Sequence, residues 1–210
     1  GQKHVADYMF KDVPQADQDE DAIERTINAM DSNGVRIGLV TLMGSRALLA
    51  AKTHPDRFLL CSPIDPNDVI GSVTKIRKDH SMHAISAVSF FPAGCDPHVP
   101  IDDAKTYPIY ATCVELDLPI FINAGVPGPR VIGESQNVSR FDPVCYDFPD
   151  LKIVMRPGAE PDETLAVKLM LKWPNLYYST SAFAPKHYPK AIIDYANTRG
   201  SGKIIYGGYF

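Results

Sequence analysis

"LPIFINAGVPGPR", residues 118–130, is the stretch on which the fold turns. It opens as an apolar run of the kind a buried strand requires. It then presents Asn123, two glycines, two prolines and Arg130. A core strand that ends in a polar amide and a rigid loop carrying a cation is the usual shape of a ligand-facing strand end in α/β proteins.

Outward from this stretch, helix-like and strand-like segments alternate along the chain. The pattern predicts strands over residues 35–42, 58–64, 84–91, 119–124, 151–155, 176–180 and 203–206. It predicts helices over 21–33, 45–54, 67–78, 103–117, 141–148, 162–173 and 188–198. In the first of these helices Ile23, Ile27 and Met30 fall on one face, and Gly34 stops it. Ser45 is the expected N-cap of the second and Asn67 that of the third. In the helix over 162–173, Leu165, Leu169 and Trp173 are expected on the buried stripe.

Near-continuous apolar strands joined by helices call for a parallel sheet covered on both faces. A doubly wound sheet and a (β/α)₈ barrel both satisfy this. A barrel needs eight strands and about 250 residues, so this chain is one strand short and ends at Phe210 without a closing helix. The expectation is a barrel in which strands 2 to 8 are represented. Its first strand lies outside the chain or is improvised from residues 4–10. Gly1 in place of Met fits a truncated start. Residues 1–210 are expected to form one domain, with about the first 20 irregular.

Composition narrows the function. The chain has 210 residues, 45% hydrophobic and 22% charged, with a net charge of -4, which is ordinary globular composition. No basic stripe suits nucleic acid, and no apolar run is long enough to span a bilayer. No signal peptide is visible, and Cys61, Cys95, Cys113 and Cys145 are scattered without a CxxC pair, as expected of reduced thiols in a cytoplasmic protein.

Ligands of either architecture bind at the carboxyl ends of the strands. His54, His80 and His83 precede strands and so belong to the opposite, structural face. On the ligand face, Arg156 and Arg130 can clamp an anion, since a guanidinium holds a carboxylate in a bidentate pair. Alternatively Arg130 is a solvated loop charge, and Arg156 is neutralised by Glu160 or Asp65. Glu160 is a candidate acid or base, and His98 and His187 are candidate proton carriers. Each also has a plain reading, as the partner of an arginine or as a surface loop residue. Asp65, before Pro66 and Asn67, either meets substrate or forms a turn. Asn123 either caps its strand or orients a substrate oxygen. Cys95 lacks a neighbouring base, and there is no GxSxG elbow, GxGxxG or P-loop.

Five stretches, in order, carry a family resemblance: "HPDRFLLCSPIDP" (54–66), "YPIYATCVELDLPIFINAG" (107–125), "FPDLKIVMRPGAEP" (148–161), "WPNLYYSTSAF" (173–183) and "KIIYGGYF" (203–210). Together they resemble the amidohydrolase-related family, which includes aminocarboxymuconate-semialdehyde decarboxylase-like and resorcylate decarboxylase-like enzymes. The resemblance implies a (β/α)₈ barrel holding Zn or Mn at its mouth. It also implies hydrolysis or decarboxylation of a small acidic, cyclic molecule by a homo-oligomer. The family's metal ligands are an HxH on the first strand, a His ending the fifth, a His after the sixth and an Asp after the eighth. The last three positions match Asn123, Pro157 and Tyr209. None is the family's imidazole or carboxylate: an amide oxygen is a weak ligand, and proline offers no side-chain donor. The expectation is therefore no metal cofactor, with Asn123 and Tyr209 serving the substrate instead. The alternative is a catalytically silent barrel that binds a ligand or serves as an assembly subunit.

Overall fold

The structure is a computed structural model that describes residues 21–180 and 183–207. Seven strands make one sheet: β1 (Gly38–Thr41), β2 (Phe58–Ile64), β3 (Ala87–Phe90), β4 (Ile120–Asn123), β5 (Ile153–Arg156), β6 (Leu176–Ser179) and β7 (Ile204–Ile205). Their order in space is their order in sequence, and every neighbouring pair is parallel. Helices α1 (Ala22–Ser32), α2 (Ser45–Thr53), α3 (Val69–His83), α4 (Tyr107–Glu115), α5 (Phe141–Asp147), α6 (Glu163–Lys172) and α7 (Lys190–Ala196) alternate with them. Sequential parallel pairing through helical crossovers curls the sheet into a half-barrel with the helices outside. The improvised strand expected over residues 4–10 lies outside the described residues.

Alternation along the strands separates two faces. Leu60, Val88, Ile120, Ile153 and Leu176 join one apolar core with residues of the helices. The intervening residues, among them Cys61, Ser89, Phe121, Asn123, Val154 and Arg156, share the concave face. Leu39 and Leu59 are register partners on that face and are 38% and 41% exposed; among the described residues β1 is an edge of the sheet.

Several local expectations are corrected. Strand ends move by up to three residues: 35–42 contracts to Gly38–Thr41, and 84–91 to Ala87–Phe90. The segment 203–206 contracts to Ile204–Ile205, and β5 gains Arg156. Ser45 does not cap α2; Gly44 occupies the cap at φ 75, with no side-chain bond. Helix α3 is capped by Asp68, whose Oδ1 accepts from Gly71 N at 2.8 Å. Asn67 is committed elsewhere, donating from Nδ2 to Pro97 O at 2.8 Å. The same helix runs on to His83, because Asp79, in a stretch that reads as polar, is 7% exposed and pairs with Ser62 and Lys75. His80 and His83 thus lie in its last turn. Helix α6 buries Ala166, Leu169 and Met170, while Leu165 faces outward at 38% exposure. Helix α1 buries Ile23, Ile27 and Met30 as the spacing requires.

Candidate functional site

The parallel register places Asn123, the last residue of β4, directly beside Arg156, the last residue of β5. Arg156 Nε donates to Asn123 Oδ1 at 3.3 Å. It is the one side-chain bond of Arg156 among the described residues, and it is rather long, so other guanidinium N–H groups remain for further partners. Among the described residues Arg156 makes no ion pair with Glu160 or Asp65. The Arg156 charge is felt at the Cys61 thiol of β2, on the same face of the sheet. Burial dominates that thiol and pushes it up; a bond from Ser89 and the Arg156 charge act the other way.

The loop after Asn123 is held from two sides. Ala124 N donates to Arg156 O, and Val126 N to Glu160 O, both at 2.7 Å. Gly125 takes φ +77, and a Cβ built there would come within 2.4 Å of Glu160 O. Only glycine permits that conformation together with such an approach. Beyond it the loop carries Arg130, exposed among exposed Val126 and Ile132.

Glu160 is half-buried. Burial, reinforced by the charge of Glu163, raises its carboxyl above the ordinary range. Glu163 was not foreseen from the sequence. One of its carboxylate oxygens is buried with no hydrogen-bond partner among the described residues. The E-x-x-E spacing of Glu160 and Glu163 was a usable signal, since it spans a loop and the first turn of α6. Behind them Tyr178 donates to Gly158 O, and burial pushes its phenol up.

The remaining candidates are dispersed. Asp65 Oδ1 accepts from Asn67 N at 2.9 Å, the bond of an Asx turn. The Asp65 carboxylate adds to burial in raising the Cys95 thiol to about 12. His98 and His187 are exposed, the first in the loop after β3, the second in the short turn Pro185–His187. Tyr209 lies outside the described residues. The four cysteines are free and buried. Among the described residues no group of three or more His, Cys, Asp or Glu is placed to hold a metal ion, and no helix is long and apolar enough to cross a membrane.

The amidohydrolase family model matches residues 10–208. The chain belongs to the amidohydrolase family. No curated protein matches it. Among solved structures, an uncharacterized TIM-barrel protein from Bordetella bronchiseptica is similar at 22% identity with a TM-score of 0.79. The match covers 89% of this chain and 69% of that chain. A 5-carboxyvanillate decarboxylase from Novosphingobium aromaticivorans, complexed with manganese and 4-hydroxy-3-methoxy-5-nitrobenzoic acid, is similar at 15% identity with a TM-score of 0.66, covering 89% and 69%. A probable 2-pyrone-4,6-dicarboxylic acid hydrolase from Acinetobacter baumannii, with citric acid bound, is similar at 12% identity with a TM-score of 0.64, covering 100% and 81%. At these identities the likeness is one of fold.

Proposed function

We propose that this protein binds a small, acidic, cyclic molecule at the barrel mouth and acts on it as a hydrolase or decarboxylase, without the metal of its family. The observation that carries this reading is the Arg156–Asn123 pair, a guanidinium at a strand end held, among the described residues, by an amide and not by a carboxylate. A cation so placed needs an anion, and a carboxylate satisfies it bidentately. Asn123 can still donate through its Nδ2 to a second oxygen of the ligand. Solved neighbours with a nitrobenzoic acid or citric acid bound lend support to an acidic ligand.

The donor set argues against the family's metal. Asn123 Oδ1 already accepts from Arg156, and an amide is a weak ligand for Zn or Mn. Pro157 offers no donor, and a guanidinium beside the position repels a divalent cation. Glu160, whose carboxyl burial and Glu163 raise above its ordinary value, is the candidate to carry a proton. In decarboxylation it would protonate the carbon that loses CO₂; in hydrolysis it would accept the proton of the attacking water.

A second reading, a ligand-binding barrel without catalysis, is favoured by the exposure of both His98 and His187, which leaves Glu160 without an imidazole partner among the described residues. Purified protein treated with chelator and supplied with hydroxybenzoates and cyclic dicarboxylates separates the cases. Turnover that survives chelation supports the metal-independent enzyme. Binding without turnover supports the silent barrel. Activity lost on chelation and restored by Mn²⁺ contradicts metal independence.

A further inference from the structure

Gln136 is a buried polar side chain that the site described above does not use. It ends the 3-10 turn Glu134–Gln136 and is 1% exposed. Its Nε2 donates to Gly125 O at 2.9 Å, and its own backbone O accepts from Gly125 N at 3.0 Å. Its Oε1 accepts from Ala93 N, in the turn after β3, at 3.4 Å. Gln136 therefore grips Gly125 by both its backbone groups and ties that grip to a second loop of the same rim.

On the other side of Gly125 stands the backbone of Ala159 and Glu160, so close that even a methyl group would clash. The glycine is thus sandwiched between Gln136 and the Glu160 segment. Two residues upstream, Asn123 faces Arg156. The bonds from Ala124 N to Arg156 O and from Val126 N to Glu160 O bracket the same glycine. A bond that fixes Gly125 fixes the direction in which β4 leaves the sheet, and with it the Asn123 amide.

We propose that Gln136 is a positioning residue for the anion site. By clamping Gly125 it holds Asn123, Arg156 and Glu160 in one geometry. The proposal rests on the reading of Arg156 as an anion anchor. Burying an amide is costly unless each polar atom is bonded. Here the bonds go to the loop after β4 and to the 3-10 turn Pro92–Gly94 after β3, both on the ligand side of the barrel.

Calorimetric titration with benzenesulfonate, which stays anionic over the whole working range, tests this. Wild type is expected to bind it. Gln136→Met, similar in size and without the amide, is expected to bind at least roughly tenfold more weakly. Gln136→Glu should be weak at a pH of about 8, where its carboxylate cannot donate to Gly125 O. Relative to wild type it should recover as the pH is lowered to about 5.5, where a buried carboxyl takes up its proton and donates again. Thermal denaturation of the same variant at a pH of about 8 separates the roles: weak binding by folded protein supports positioning, and weakness that only follows loss of folded protein overturns it. Equal affinity of wild type and Gln136→Met, or a Gln136→Glu variant weak at every pH, overturns the proposal. If Gln136→Met does not fold, the pH profile of Gln136→Glu decides alone. Failure of wild type to bind benzenesulfonate at all overturns the anion-site reading and this proposal with it.

Discussion

Arg156 Nε and Asn123 Oδ1 face each other at 3.3 Å across two adjacent parallel strands, at the last position of each. The amide turns the guanidinium without cancelling its charge. A carboxylate at the same position would cancel it. Asn123→Asp is therefore expected to form an internal ion pair with Arg156. Affinity for benzoate should fall at least tenfold, while the melting temperature holds or rises. Calorimetry and thermal denaturation of the one variant check both halves.

Gly125 permits the close approach of the two loops. Its φ of +77 and the 2.4 Å that would separate a Cβ from Glu160 O leave Gly125→Ala no relaxed conformation. The substitution should cost about 1–3 kcal/mol in urea denaturation. A variant as stable as wild type would mean that the two loops part easily.

On the outer side of the sheet, Asp79 sits with Ser62 and Lys75. Ser62 Oγ donates to Asp79 Oδ2 at 2.7 Å, and Lys75 bonds both. Burial by itself pushes the Asp79 carboxyl up, but the bonds from Lys75 and Ser62 overcome it, and the net effect is a lowered value. A depressed carboxyl stabilises the fold above its unfolded value near 3.8, and that stabilisation is lost as the pH falls through the folded value. Asp79→Asn should cost about 1–3 kcal/mol near neutral pH. The gap to wild type should close as the pH falls below about 4. Chemical denaturation at several pH values reads this directly.

Glu160 has the opposite sign. Burial and Glu163 raise its carboxyl, so the folded chain prefers it protonated. Its ionisation opposes folding increasingly as the pH rises above the unfolded value near 4.5, and fully above the folded value. Glu160→Gln is expected to raise the melting temperature at neutral pH and to leave it unchanged in acid. If Glu160 also carries the proton in turnover, the same variant loses activity.

The fold was legible because its signals are local and repeated. Residues 58–64 are β2 to the residue, and the spacing of Ile23, Ile27 and Met30 marks the buried face of α1. The errors came where a tertiary partner overrode a local cue. Asp79 reads as the polar end of a helix, yet Ser62 and Lys75 hold it inside. Asn67 reads as a cap, yet its amide reaches across to Pro97. Of the site, the neighbourhood of Arg156 and Asn123 could be inferred from the ends of two predicted strands. Gln136 could not, because nothing in "GESQNVS" marks which polar residue of a loop turns inward. That choice depends on where Gly125 and Ala93 lie after folding.

The central claim, that Arg156 anchors an anion, is tested most directly by calorimetric titration of Arg156→Ala with benzoate beside wild type, with thermal denaturation of both. Removal of a charge-assisted bond at a binding site costs about 2–5 kcal/mol. Affinity at least roughly tenfold weaker is therefore expected, with little change in melting temperature. Unchanged affinity together with a lowered melting temperature would contradict it and leave Arg156 as a brace for its loop.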